Sequence, residues 1–226
     1  MQDVVLSWSG GKDSTLALWE LAKGPHTINE LLTTISASTG RSSMHGIRRE
    51  LLEAQAAALG LPITILELPD APSNDEYESI MNSHMKRYTA QGIDAVAFGD
   101  IYLEDVREYR ESRFEELSID AIWPIWRFET SGLIETFLNA GFRAIVVAVQ
   151  DSHFDERVAG TDLDESFLSS LPEKVDPAGE NGEFHTFVYD GPIFDDPVSF
   201  ELGKRVSREV GLDTTMHYRD IVPTDA

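Results

Sequence analysis

Short apolar runs alternate with segments of helical spacing through the first half of the chain. Residues 4–7 read as a short buried strand, and residues 14–22 as a helix carrying Leu16, Leu18, Trp19 and Leu21. A second β-rich run covers residues 32–37. Ile47, Leu51, Ala54 and Ala58 then recur at helical spacing up to Gly60. Residues 62–68 predict a third strand. Tyr77, Ile80, Met81, His84 and Tyr88 stripe a helix ending near Gly92. Residues 95–98 predict a fourth strand, and Val106, Tyr109, Arg113, Phe114 and Leu117 outline the helix after it. Strands alternating with helices imply a parallel sheet with right-handed crossovers. The second half is less regular. Leu133, Ile134, Phe137 and Leu138 suggest a short helix, and residues 144–149 a strongly apolar strand. Such a strand pairs between subunits if exposed, but burial in a core is the plainer expectation. Residues 151–182 read as an acidic loop and 185–189 as a strand. Residues 198–210 and 214–222 fit a hairpin or a helix–strand pair equally well. Pro124, within Trp123-Pro124-Ile125-Trp126, breaks the pattern and marks a domain boundary.

Composition narrows the chemistry. The chain has 226 residues, 42% of them hydrophobic, an ordinary globular balance. No apolar run approaches the ~20 residues of a membrane span, and the start has no basic, apolar leader. The expected location is the cytoplasm. There is no cysteine, so disulfides, thiolate metal sites and cysteine nucleophiles are excluded. The net charge of −22 argues against nucleic-acid and anionic-membrane partners. An anionic ligand must therefore find a local basic site.

Such a site is present at Ser7-Trp8-Ser9-Gly10-Gly11-Lys12-Asp13-Ser14, between the first strand and the first helix. Paired glycines admit a close anion, the helix start offers unpaired N–H groups, and Lys12 adds a charge. Ser9 and Ser14 add hydroxyl donors. Asp13 repels a bare phosphate but suits a magnesium ion that bridges phosphates. The Walker A pattern is not met, because Asp13 follows Lys12 and Leu6 stands where the first Gly belongs. A Gly-rich turn capped by Asp13 or Ser9 is the plainer alternative.

Three further segments carry candidate chemistry. Met44-His45-Gly46 follows the second strand, where His45 can donate to a phosphate or a nucleobase edge; a surface turn explains it as well. Gly99-Asp100 follows the fourth strand, with Asp100 as a metal ligand or ribose contact. Arg107, Arg110 and Arg113 come next, among many carboxylates, and read either as phosphate ligands or as salt-bridge lacing. The richest segment of the second half is 176–188, DPAGENGEFHTFV. Within a strand, Glu183 and His185 would share a face, a pairing suited to moving protons. A hairpin turn with exposed polar residues is the alternative.

The segment SGGKDS at 9–14 resembles the pyrophosphate loop (PP-loop) of N-type ATP pyrophosphatases. With MHG at 44–46, GDI at 99–101, PIW at 124–126 and GENGEFHTFV at 179–188, essentially the whole chain resembles the diphthine–ammonia ligase family. The resemblance implies an α/β fold: a HUP-type doubly wound parallel sheet over residues 1–123, then a smaller α+β substrate-binding subdomain over 124–226. It implies a ligase that forms an acyl-adenylate from ATP and a carboxylate, then an amide with ammonia. The family's namesake substrate is diphthine on elongation factor 2; a small metabolite carboxylate is the alternative. Ser9, Gly10, Gly11, Lys12 and Ser14 would bind the pyrophosphate portion of ATP, and Asp13 would position Mg2+. Ala37, Met44, His45, Gly99 and Asp100 would line the nucleotide. Lys12, Asp13, Glu180, Glu183 and His185 would act in catalysis. Homo-oligomers are compatible with the sequence. Sulfur transfer to tRNA lacks its cysteine and a basic surface, and a nucleotide sensor would need neither Lys12 nor Asp13.

Overall fold

The computed structural model describes residues 1–70, 72–210 and 214–224. Its elements run β1 (Gln2–Ser7), α1 (Lys12–Lys23), β2 (His26–Ser36), α2 (Arg49–Ala58), β3 (Ile63–Leu68), α3 (Asn74–Gln91), β4 (Ala95–Ala97), α4 (Glu104–Leu117) and β5 (Asp120–Ile122). There follow α5 (Thr130–Asn139), β6 (Arg143–Gln150), α6 (Glu165–Ser169), β7 (Phe184–Asp190), β8 (Phe200–Val210) and β9 (Thr214–Pro223). Among the described residues no helix is long and apolar enough to cross a membrane. The chain divides into two compact units. The first comprises Met1–Ser9, Asp13–Gly40 and Leu61–Arg127; the second comprises Gly10–Lys12, Arg41–Gly60 and Phe128–Ala226.

The first unit is built on a five-stranded sheet of order β3-β2-β1-β4-β5, every neighbouring pair parallel. The chain winds outward from β1 to β3, then crosses back and winds the other way through β4 and β5. That reversal puts a topological switch point between β1 and β4, the place where open α/β sheets bind ligands at the strand carboxyl ends. The doubly wound sheet matches the expected HUP-type fold. One face packs Val5, Leu32, Leu66, Val96 and Phe98 against Met85 and Tyr88 of α3 and Phe114 of α4. The helix α3 is well bounded. Ser73 and Glu76 form a reciprocal capping box, and Gly92 ends the helix at φ 84°. Strand β5 was not expected from the sequence: its three residues are exposed or half-buried, whereas the equally short β4 is an apolar, buried run.

The second unit holds an antiparallel sheet of order β7-β6-β9-β8. Its centre is β6, whose Ala144–Val149 run is fully buried, so this apolar segment is core. Phe137 of α5 stacks on Phe142 at 5.1 Å between ring centroids. The ambiguous carboxy-terminal segments form a hairpin, β8–β9, with a bulge between Leu202 and Arg205. That extra residue flips side-chain parity midway, which hid the strand alternation from the sequence.

Candidate functional site

Within the second unit, the loop residues Gly10–Lys12 meet strand β7. The Lys12 backbone N–H donates to the Thr186 hydroxyl at 3.0 Å, and the Val188 N–H donates to the Gly10 carbonyl at 2.9 Å. The fully buried Gln55 of α2 completes the junction. Its Nε2 donates to the carbonyls of Gly10 (2.9 Å) and Val188 (2.6 Å). Sequence reasoning missed Gln55. The available signal was a polar residue on the same face as Leu51, Leu52 and Ala56, which all face the core. Both glycines are needed. Gly10 sits at φ +79°, and a Cβ there would lie 2.7 Å from Gln55 Oε1; a Cβ on Gly11 would lie 2.9 Å from His45 Nε2 and 3.1 Å from the Thr186 carbonyl.

Lys12 is 3% exposed, and its Nζ stands 5.3 Å from the centroid of the Phe184 ring. Beside it are two imidazoles, His45 and His185, with ring centroids 4.6 Å apart. Burial, then the neighbouring His185 and Lys12, hold His45 well below its usual pKa. Burial, then Lys12, lower His185 to about 4. Both rings are therefore neutral at pH 7. The loop bearing His45 is held at both ends. Arg41 and Arg48 pair across a short antiparallel bridge, and both bond to Asp220 of β9 at 2.7–3.1 Å. Burial would raise the Asp220 carboxyl, but the hydrogen bonds from Arg48 and Arg41 hold it down at about 2.

Glu183 departs from the expected geometry. The strand begins at Phe184, so Glu183 precedes it and does not share a strand face with His185. Its carboxylate is 2% exposed and folds back into the preceding turn. There it accepts from the backbone of Asp176 (3.1 Å), the backbone of Asn181 (2.9 Å) and Asn181 Nδ2 (3.0 Å). Burial pushes this carboxyl up, but the hydrogen bonds prevail and its pKa is lowered. Asp176 is the turn's second anchor. It accepts from Ala178 N, Glu180 N and the Thr130 hydroxyl. Glu180 thus lies on a turn whose backbone is fixed from within.

A pocket of about 180 Å³ adjoins His185. Its wall includes Met44, Gln150, Asn181, Met216 and Tyr218, and among the described residues none that lines it is Asp, Glu, Lys or Arg. Met44 is half exposed at its rim.

Within the first unit, Ser9 and Ser14 share a hydroxyl–hydroxyl hydrogen bond of 3.1 Å. Gly99, at the carboxyl end of β4, lies against the loop's exit: a Cβ there would come within 3.0 Å of Asp13 and Ser14 backbone atoms. Asp100 is paired with Arg110, and Ala37 is exposed on the turn after β2. The Arg series on α4 is laced with carboxylates: Arg107 pairs with Glu111, and Arg113 with Glu78. Arg107 and Arg110 also lie over aromatic rings, Arg107 4.7 Å from Trp126 and Arg110 4.3 Å from Phe98. Among the described residues no group of three or more His, Asp or Glu is placed to hold a metal ion. Magnesium bound mainly by substrate phosphates needs only one or two protein carboxylates, and Asp13 of the loop fits that requirement.

Both halves of the chain have recognisable relatives. Residues 1–120 match the diphthamide synthase N-terminal domain, and residues 129–217 the diphthamide synthase C-terminal domain. The diphthine–ammonia ligase of Danio rerio is 26% identical over 212 residues, covering 82% of this chain and 81% of that protein. The Bos taurus enzyme of the same name is 24% identical, covering 82% and 78%. Among solved structures, a predicted subunit of tRNA methyltransferase from Methanocaldococcus jannaschii superposes with a TM-score of 0.42 at 16% identity, over 70% of this chain and 84% of that one. With both domain families matched in order along one chain, the protein belongs to the diphthamide synthase family.

Proposed function

We propose that the protein converts a carboxylate into a primary amide at the expense of ATP. Its class, an ATP-dependent ligase, goes with its family. In the first step a carboxylate oxygen attacks the α-phosphate, forming an acyl-adenylate and releasing pyrophosphate. In the second, ammonia attacks the acyl carbon, the C–O bond to AMP breaks, and the nitrogen sheds a proton. The acceptor is diphthine, as in the names of the relatives, carried on elongation factor 2. In this reading residues 1–123 supply the nucleotide domain, and residues 124–226 the acceptor-binding part.

The observation that carries the reading is the junction of Lys12 with Thr186 and the two neutral imidazoles. It joins the pyrophosphate loop to the strand of the GENGEFHTFV segment. Gly10, Gly11 and Lys12 stabilise the charge that builds on departing pyrophosphate. Ser9 and Ser14 donate from the two ends of the same loop. Ala37, Met44, His45, Gly99 and Asp100 belong to the nucleotide's surroundings. Asp13 would hold Mg2+, which neutralises phosphate charge when bound. Neutral His185 accepts the proton that the attacking nitrogen loses. Glu180 and Glu183 act differently from each other. Glu183 holds the turn, and Glu180 is the carboxylate presented on it to attract ammonium.

The test is AMP formation from ATP, Mg2+ and ammonium with a diphthine-bearing acceptor. Wild-type protein should release AMP and amide in equal amounts. Lys12→Ala should lower that rate by at least about a hundredfold, the cost of losing one strong oxyanion donor. Acceptor-independent AMP release, or an undiminished rate in Lys12→Ala, would defeat the reading.

A further inference from the structure

The second sheet ends in an edge that differs from the rest of this acidic chain. Strand β8 is outermost, so one row of its backbone groups has no strand partner in the sheet. Along it Lys204, Arg205 and Arg208 outnumber Glu201 and Glu209, in a chain of net charge −22. All three cations are exposed, and none forms an ion pair among the described residues. The pairing register continues this edge into the pocket. Val206 lies opposite Tyr218, Arg208 opposite Met216 and Val210 opposite Thr214, so these residues share the pocket's face. Val206 is 41% exposed there, and Arg208 lies 5.8 Å from the Tyr218 ring centroid.

We infer that β8 is the docking edge for an acidic, extended polypeptide, which adds to the sheet as a further strand and delivers a side chain to the pocket beside His185. Backbone pairing supplies affinity, and Lys204, Arg205 and Arg208 supply orientation. The pocket's volume equals about six water molecules at ~30 Å³ each, room for the end of one side chain. Docking stands on the edge alone; the identity of the delivered group rests on the carboxylate-ligase reading.

The test uses a fluorescent decapeptide of alternating Glu and Val, its Lys–Val counterpart and a 12-nucleotide RNA, with binding followed by anisotropy. The acidic peptide should bind wild-type protein. Its Kd should rise about tenfold in Lys204→Gln/Arg205→Gln/Arg208→Gln, and also when salt goes from 0.1 to 0.5 M. The single variant Arg208→Glu should act in the same direction. Equal Kd values, tighter binding of RNA, or a variant whose only change is self-association would overturn the inference, the last showing that these cations merely protect the edge. In the ligase assay the triple variant should lose kcat/KM for protein-borne diphthine while keeping that for free diphthine. Absence of AMP from wild-type protein would instead fault the ligase reading and leave the binding result standing.

Discussion

Replacing His185 by Gln should flatten the pH dependence of stability between pH 7 and pH 5. In the folded protein the imidazole titrates at about 4; in the unfolded chain it returns to its ordinary value of 6.5. The unfolded state therefore binds more protons across that window, and stability falls as the pH falls. The contribution is fully present above the unfolded pKa and fades between 6.5 and 4. Integrating the linkage relation from pH 7 to pH 5 gives a loss of about 2 kcal/mol from this one group. Asp220, held at about 2, loses its own contribution only well below that window. The assay is urea unfolding at half-unit pH steps, comparing wild type and His185→Gln. The variant should lose about 2 kcal/mol less than the wild type over those two units. Parallel curves would refute the enclosed, neutral imidazole. His45 shifts in the same direction, so the wild-type slope should exceed that of one histidine.

Two other variants probe the junction and the turn. Gln55→Leu removes the side-chain donor shared by the carbonyls of Gly10 and Val188, leaving Gly10 with the Val188 N–H, and should destabilise by about 1–3 kcal/mol, read from the urea midpoint; it should also raise the KM for ATP. Glu183→Gln removes an anionic acceptor from three N–H donors and should cost about 1–3 kcal/mol. If Glu183 acts only through the turn, the loss of kcat in Glu183→Gln should track the loss of turn order, seen as faster proteolysis within 176–183.

Four strands of the first sheet were legible because each carries a short apolar run between helices, one of which has strong ends at Ser73–Glu76 and Gly92. The glycine-rich loop at 9–14 stands out in the sequence because it joins a strand to a helix start, but the contacts that require its glycines come from distant residues. What the sequence concealed depends on pairings distant in the chain. Gln55 looks like an ordinary helical residue until strand β7 is beside it. Glu183 looked like a strand residue, since nothing local reveals that three donors in its own turn draw it back. The bulge in β8 has the same character, because register is a property of two strands.

The separation of these partners along the chain sets the order in which the molecule can be completed. Thr186, which fixes the Lys12 backbone, is made 174 residues after it. Asp220, which pins Arg41 and Arg48, comes later still. Closing such distant contacts is slow compared with forming helices. A partly synthesised chain therefore carries the glycine-rich loop without the strand that fixes it. The loop's final geometry is therefore set by residues made long after the loop itself.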